Sequence, residues 1–371
     1  MRVCHICSNY DKFFSNLMEQ QLAKGIDLRV FYFRAKERGW PDVNSSYVDV
    51  RLNYSNWSRP FFYLKEKSVL SDFFQLYRKE DFDINHAHTL FSNGYIALKA
   101  KEKWGTPYIV AVRDMDVNIF FRYRRNLRAL GMEILSEAEK IIFLSDSYKK
   151  HVLLNYIPSV LRNDFNEKSV VIPNGVDPFY LENKQEKFKI NQEENNKEFL
   201  EIITVGYVGK RKNQLAVCKA VDQLNKEGIA TKYTIIGKVL DGKIFDQVKK
   251  YPFTRYIPFL SKEELVKEYR KADIFVMPSV TETFGLTYVE ALSQGLPIIY
   301  SRGQGFDGQF EEGEVGYAVE NTNPIDIKNK IMKIKENYHY ISKKCTESSD
   351  KFNWRDIETE YSRIYKSISM K

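Results

Sequence analysis

PSVTETFGLTYVEALSQGLPIIYS, Pro278 to Ser301, carries two glutamates, Glu282 and Glu290, with seven residues and one glycine between them. The residues before it, Asp273-Ile-Phe-Val-Met-Pro278, read as a buried strand that ends at a proline. Gly285 then releases the backbone. Leu286 to Gln294 has helical periodicity and good helix formers, and Gly295 and Pro297 stop it. Glu282 is therefore expected on the loop at the strand's carboxyl end. Glu290 is expected about a turn and a half inside the helix, roughly 7 Å further on. The unpaired N–H groups near Phe284, Gly285 and Leu286 would form an anion site favoured by the helix dipole. A diphosphate held there with a hydroxyl-rich ring at either end sets one carboxylate beside each ring. That is the chemistry of a nucleotide sugar.

Outward from this stretch the same grammar repeats. Strand patterns occur at Glu201–Val205, Tyr233–Ile236, Arg255–Ile257, Ile274–Met277, Ile298–Tyr300 and Tyr317–Val319. The first half has its own at Val3–Cys7, Leu28–Phe33, Ile84–Ala87, Tyr108–Val112, Ile141–Leu144 and Val170–Ile172, with helical segments at Phe13–Lys24, Gly94–Lys103 and Leu127–Ala138. Short apolar strands alternating with helices predict parallel sheets covered on both faces. A length of 371 residues suggests two domains of about 150–200 residues each. The turn-rich Pro173–Pro178 and the polar stretch Glu182–Glu198 mark the boundary, giving domains over 1–178 and 179–353. The expected architecture is α/β: two Rossmann-like parallel-sheet domains facing each other across a cleft at the strands' carboxyl ends. Trp354–Ser367 reads as an amphipathic helix with Ile357, Tyr361, Ile364 and Tyr365 on one side.

No run approaches the ~20 apolar residues of a membrane-spanning helix, and MRVCHICSNY lacks the build of a signal peptide, so a cytoplasmic location is expected. The net charge of +8 predicts an anionic partner: nucleic acid, a membrane face or a phosphorylated substrate. With a nucleotide-sugar site in view, the charge is assigned to substrate phosphates and a membrane face rather than to nucleic acid. Cys4 and Cys7 form a C-x-x-C, but an odd separation on a strand sends them to opposite faces, so they read as reduced core thiols.

A second constellation is Thr204-Val-Gly-Tyr-Val-Gly-Lys-Arg-Lys-Asn213, a strand that ends at Gly206 and a loop carrying Lys210, Arg211 and Lys212. Glycines let a backbone approach a phosphate and the cations offset its charge. It matches neither the dinucleotide fingerprint nor the Walker loop. The bland reading is a solvated basic turn. For the glutamates, it is a pair of helix-end charges in a chain with 49 acidic residues.

At these residues the chain resembles retaining glycosyltransferases of family 4, which have the GT-B fold. The similarity covers essentially the whole length and is strongest from Val171 to Val319. Val171–Asp177, Val-Ile-Pro-Asn-Gly-Val-Asp, matches the family's passage between its domains. The phosphate loop, commonly V-G-R-L-x-x-x-K-G, is met at Gly206 and Lys212 but has Tyr207 at the arginine position, which Arg211 would cover. The resemblance implies that Glu282 binds donor-sugar hydroxyls and Glu290 the ribose. Thr283, Phe284, Gly285 and Leu286 would hold phosphates and sugar through amides, and Ile257 with Pro258 would meet the base. It also implies a final helix, 354–371, that returns to the N-terminal domain, and a donor site without metal or other cofactor.

The N-terminal half should receive the acceptor. Asn85-His-Ala-His-Thr89 offers His86 and His88, which are read as polar cleft or packing residues, with no third ligand evident for a metal. Ala111-Val-Arg-Asp-Met-Asp116 places Arg113 where many relatives carry histidine. Arg113 would bind a phosphate or acceptor oxygen, with Asp114 orienting it; a buried structural Arg–Asp pair is the bland reading. The D-x-D of Asp114 and Asp116 resembles a metal motif of another glycosyltransferase fold and is treated as a decoy. Arg122, Arg124, Arg125 and Arg128 lie among aromatics in a segment read as a helix, suited to an anionic membrane face or a lipid-linked diphosphate. Phe61–Lys65 is expected to extend that surface. The bland reading is a solvated helix with snorkelling side chains.

The function expected is retaining transfer of a sugar, with UDP-sugar favoured as donor, to a hydroxyl of a glycan or lipid-linked acceptor in bacterial surface-polysaccharide synthesis. Lys212, Glu282 and Arg113 would carry the chemistry. The alternatives are a nucleotide-sugar epimerase and a non-catalytic nucleotide-sugar-binding subunit, the latter kept in view by Tyr207 and Arg113.

Overall fold

The structure, a computed structural model, describes residues 1–186 and 199–370. Its described residues form two compact units. The first comprises Met1–Leu144, Lys149–Pro173 and Trp354–Lys371; the second comprises Ser145–Tyr148 and Asn174–Asn353. Most of the polar stretch read as a boundary, 187–198, lies outside the described residues.

The first unit holds β1 (Arg2–Cys7), β2 (Asp27–Ala35), β3 (Val48–Tyr54), β4 (Ile84–Ala87), β5 (Tyr108–Ala111), β6 (Lys140–Phe143) and β7 (Ser169–Val171). They form one parallel sheet in the order β3-β2-β1-β4-β5-β6-β7. The second unit holds β8 (Leu200–Val205), β9 (Thr231–Ile236), β10 (Thr254–Ile257), β11 (Ile274–Met277), β12 (Ile298–Ser301) and β13 (Gly316–Val319). Its parallel order is β10-β9-β8-β11-β12-β13. Each sheet thus starts in the middle and reverses its outward direction once, between β1 and β4 and between β8 and β11, as in a Rossmann sheet. Loops leaving neighbouring strands there diverge, which opens a crevice at the strands' carboxyl ends.

The central strands are short and wholly buried: every residue of β4, β5, β11, β12 and β13 is shielded from solvent. Helices on both faces supply the cover that such apolar runs need. The expected strands are all present, and those of the second unit begin and end within two residues of the reading. β3 was not anticipated. Its sequence VDVRLNY lies at the sheet edge, where only Asn53 is fully buried and charges interrupt the apolar pattern.

Trp354–Ser369 is a helix of the first unit and contributes Trp354, Ile357, Tyr361, Ile364, Tyr365 and Ile368 to its core beside Leu17, Met18 and Ile84. At ~1.5–3 kcal/mol per fully buried large apolar side chain, this face accounts for a large part of the gross stabilisation of that core. Gln21 Nε2 donates to Tyr365 Oη at 3.2 Å, and Glu358, wholly buried, pairs with Lys24. The four cysteines are buried and free, and burial pushes the thiols of Cys4 and Cys7 upward.

Candidate functional site

The reversal between β8 and β11 brings the two sequence constellations together. After β8 the chain passes Gly206 at φ 154°, where an added Cβ would lie 3.3 Å from Lys212 Cε. Gly237, after β9, sits closer still; a Cβ there would meet Gly206 O at 2.4 Å. These glycines let the β8 loop fold tightly over the sheet end. Asn213 then adopts a left-handed conformation (φ 57°), tolerated because its Nδ2 donates to Pro278 O at 3.2 Å and Asn321 O at 2.7 Å. The helix Gln214–Lys226 follows.

The loop after β11 is fixed just as closely. Val280 N–H donates to Arg211 O at 2.8 Å, which ties the two loops by backbone. Glu282 N–H donates to Gln304 Oε1 at 2.9 Å, and Gly305 N–H donates to Glu282 O at 2.8 Å. Gly305 has no substitute here, because a Cβ would fall 2.0 Å from Thr283 C and O. The result is a buried ion pair: Lys212 Nζ lies 2.5 Å from Glu282 Oε2, and each residue is only 8% exposed. Arg211 Nη2 reaches Glu282 Oε1 at 3.5 Å, and Ser279 Oγ donates to Oε2 at 3.3 Å. Tyr207, at the divergent position of the loop, lies under both cations, with ring-to-cation distances of 5.9 Å for Arg211 and 6.0 Å for Lys212. Lys210 is solvent-exposed.

Gly285 caps the helix Leu286–Ser293 at φ 85°, and a Cβ there would strike the Tyr288 ring at 2.5 Å. Tyr288 in turn donates to Met277 O at 2.6 Å and holds the helix start against β11. The N–H groups of Phe284, Gly285 and Leu286 find no backbone acceptor among the described residues, and the helix dipole favours an anion at this tip. Thr283 is buried beside them. Glu290, inside this helix and partly buried, accepts from Tyr269 Oη at 3.0 Å. Burial pushes its carboxyl up to about 7, against the lowering influence of the Tyr269 and Tyr180 hydroxyls. Ile257 closes β10, where its carbonyl accepts from Gly237 N–H at 3.1 Å, and Pro258 is exposed. Gln304, Gly305, Tyr269 and Tyr180 were not read from the sequence. The first two brace Glu282 from 22 and 23 residues away, so no local motif points to them.

The residues assigned to the acceptor lie in the first unit, and of the two readings of His86 and His88, cleft or packing, the second is the one that fits. His86 and His88 are buried, 0% and 1% exposed, and a third histidine that the sequence reading did not find, His5 on β1, joins them. His5 Nδ1 lies 3.0 Å from His88 Nε2, and His86 Nδ1 lies 2.7 Å from Tyr365 Oη. The rings stack, with His86 and His88 centroids 4.0 Å apart at 23° and His5 and His88 at 25°. The His5 and His86 rings are tilted at 47°, and one ring nitrogen from each of the three lies within 4.8 Å of the others, so the trio forms a buried imidazole cluster in the core. Burial lowers all three, His5 to about 4, which keeps the imidazoles neutral. No face of His86 is open to an acceptor.

Arg113 follows β5 and is partly buried. The carboxylate around which its turn is built is Asp116 rather than Asp114. Asp116 accepts from the N–H groups of Leu90, Phe91 and Arg113 at 2.9, 3.2 and 2.8 Å. Burial raises it to about 6 despite those donors. Asp114 accepts from Asn118 Nδ2 at 2.6 Å. The basic segment is not one helix either. A π-turn over Asp116–Phe121 and a single 3-10 turn at Arg125–Leu127 precede the helix Arg128–Glu137. Arg124 leaves helical geometry (ψ 61°) and donates to Pro60 O at 2.8 Å, and Arg128 Nε donates to Phe121 O at 2.8 Å. Two of the four arginines thus staple backbone, while Arg122 and Arg125 face solvent.

Residues 12–179 match the family model described as Glycosyltransferase Family 4, and residues 184–352 match that described as Glycosyl transferases group 1. Among curated relatives, the alpha-monoglucosyldiacylglycerol synthase of Acholeplasma laidlawii is 28% identical over 258 residues, 64% of this chain and 63% of the relative. An uncharacterized glycosyltransferase of Methanocaldococcus jannaschii is 24% identical over 309 residues, 78% of this chain and 77% of the relative. The chain thus spans slightly less than two thirds of the first of these. Among solved structures, sucrose-phosphate synthase from Thermosynechococcus elongatus superposes with a TM-score of 0.77 over 99% of this chain and 98% of its own, at 17% identity. The Anabaena protein HepE, solved in complex with UDP, superposes with a TM-score of 0.73 over 99% and 100%, at 14% identity.

Proposed function

We propose, from the premise that the chain belongs to the family 4, group 1 glycosyltransferases with the GT-B fold, that it moves a sugar from a nucleoside diphosphate sugar to an acceptor hydroxyl with retention at the anomeric carbon. The observation that carries this reading is the Lys212–Glu282 pair, formed across the β8 and β11 loops beside the N-terminal tip of the helix Leu286–Ser293. Amides and cations at that tip match a diphosphate, and the carboxylates on either side match hydroxyl-rich rings.

In this mechanism Glu282 accepts from hydroxyls of the donor sugar and Glu290 from the ribose. The Phe284, Gly285 and Leu286 amides, Lys212 and Arg211 receive the diphosphate, with Gly206 giving the phosphates room and Ile257 meeting the base. As the glycosidic C–O bond stretches, the ring becomes oxocarbenium-like and negative charge grows on the leaving phosphate. Lys212, Arg211 and the helix dipole stabilise that charge as it grows, which lowers the barrier rather than only tightening binding. The acceptor hydroxyl attacks from the face the diphosphate leaves and passes its proton to the departing phosphate oxygen. This route needs no side-chain base and is written without a metal or other cofactor. Arg113 is assigned to the acceptor side.

UDP-sugar is the favoured donor, in keeping with the UDP held by HepE. A lipid or glycan acceptor accords with the name of the Acholeplasma relative, and a role in surface polysaccharide synthesis with a relative named for the cps region of Klebsiella pneumoniae. Among the described residues no helix is long and apolar enough to cross a membrane; peripheral contact through Arg122 and Arg125 is the proposed alternative. The test is a melting-temperature screen with UDP, GDP, ADP and their sugars. One nucleotide should raise the midpoint in the native chain, and Glu282→Ala should lose slow hydrolysis of the matching sugar nucleotide. No shift with any nucleotide would refute the proposal.

A further inference from the structure

We propose that a pocket at the β1/β4 reversal of the first unit is a subsite for a phosphoryl group carried by the acceptor; the word acceptor rests on the transfer reading above. The pocket, of about 460 Å³, opens between the loop after β1 (Ser8, Asn9) and the loop after β4 (Thr89, Ser92). It occupies in this sheet the topological position that the diphosphate site occupies in the other, where open α/β sheets bind ligands. Four cations line it: Arg38, Arg59, Lys65 and Arg124.

Lys65 is the built part of this site. Its side chain is only 12% exposed, and its Nζ lies 2.8 Å from Ser92 Oγ and 2.7 Å from Glu66 Oε1. The faces of Tyr54, Phe33 and Phe62 surround it at 5.2, 5.8 and 6.0 Å. An ammonium held this deep is costly unless oppositely charged groups complete its shell. Glu66, its one close anion among the described residues, is itself wholly buried and has its carboxyl pushed up by burial. An anion entering the pocket would complete that shell.

The one acid in the lining, Asp116, has both oxygens engaged by backbone amides. The lining therefore presents a surplus of cations, more than a single carboxylate would balance. A phosphate ester carries roughly −1.5 to −2 at pH 7 and accepts bidentate guanidinium contacts. Trp57, Phe61 and Tyr63, 67, 60 and 56% exposed on the segment that supplies Arg59 and Lys65, would meet an acyl region if the phosphate belongs to a lipid.

The test is calorimetric titration of the full chain with glycerol 3-phosphate, with the nucleoside diphosphate that most raises the melting temperature present in excess to fill the second unit's site. Saturable binding is expected in the native chain, and at least tenfold weaker binding in Arg38→Ala/Arg59→Ala, whose replaced side chains are exposed and whose fold should survive. Lys65→Met should weaken binding further. Equal affinity in the native chain and the double variant, or no binding in the native chain, would overturn the proposal. Flotation with phosphatidylglycerol and phosphatidylcholine vesicles separates the sources. Displacement from phosphatidylglycerol by glycerol 3-phosphate assigns the site to a lipid headgroup; ester binding without vesicle binding assigns it to a soluble phosphate. The nucleotide-induced shift reports the second unit alone. Its absence would refute the donor reading, and the titration, then run without nucleotide, would still decide the pocket.

Discussion

Replacing Lys212 with methionine removes a cation from a pair in which neither residue is more than 8% exposed. Stranding one member of a buried pair typically costs ~3–5 kcal/mol. Here Glu282 keeps Arg211 at 3.5 Å and Ser279 at 3.3 Å, so the expected loss for Lys212→Met is ~2–3 kcal/mol. Glu282→Gln alone should also destabilise, because it strands Lys212 beneath the loop. The double variant should be less destabilised than the sum by ~1–3 kcal/mol, the coupling found for residues in direct contact. Urea unfolding followed in all four chains reads this cycle. The same substitution separates binding of phosphate from binding of base. Losing one charged hydrogen bond of ~1.5–3 kcal/mol weakens the nucleoside diphosphate by about 10- to 100-fold, while the bare nucleoside should bind as before. Turnover should fall by ~10²–10³. Additive single-variant losses, or equal weakening of nucleoside and diphosphate, would refute the assignment of Lys212 to the phosphates.

Gly305→Ala should abolish nucleotide binding although residue 305 is assigned no ligand contact, because a Cβ 2.0 Å from Thr283 C and O must displace the Glu282 loop; calorimetry against the native chain checks it. Glu290 should make stability pH-dependent. Its folded-state value of about 7 lies above the unfolded value near 4.5, so the folded chain holds the extra proton between them, and stability should fall as pH rises through that window, by up to ~3 kcal/mol. Glu290→Gln should flatten this limb in melts from pH 5 to 8, and an unchanged limb would refute it. Tyr365→Phe leaves His86 Nδ1 and Gln21 Nε2 without their common partner and should cost ~1–3 kcal/mol in urea unfolding without altering nucleotide affinity.

The second unit was legible because its information is local. Strand, glycine turn and helix follow one another from Ile274 to Ser293, and the spacing of Glu282 and Glu290 survives folding intact. What pairs with those carboxylates was less visible. Lys212 stands 70 residues from Glu282 and Tyr269 stands 21 from Glu290, so strand order, not periodicity, joins them. His5 was missed for the same reason: β1 and β4 are neighbours in the sheet but 83 residues separate His5 from His88. The basic segment misled because its composition is compatible with a helix. Arg124 donating to Pro60 O and Arg128 donating to Phe121 O hold a broken path that propensity alone would not choose. The phosphate-compatible pocket needed Arg38, Arg59, Lys65 and Arg124, drawn from three separate segments.

The decisive experiment for the phosphate role of Lys212 and the helix tip is a crystal structure of the chain soaked with its preferred nucleoside diphosphate. Phosphate oxygens are expected within hydrogen-bond distance of Lys212 Nζ and the Phe284–Leu286 amides, with a ribose hydroxyl at Glu290. A nucleotide bound elsewhere, with the Lys212–Glu282 pair and the helix tip untouched, would contradict that role.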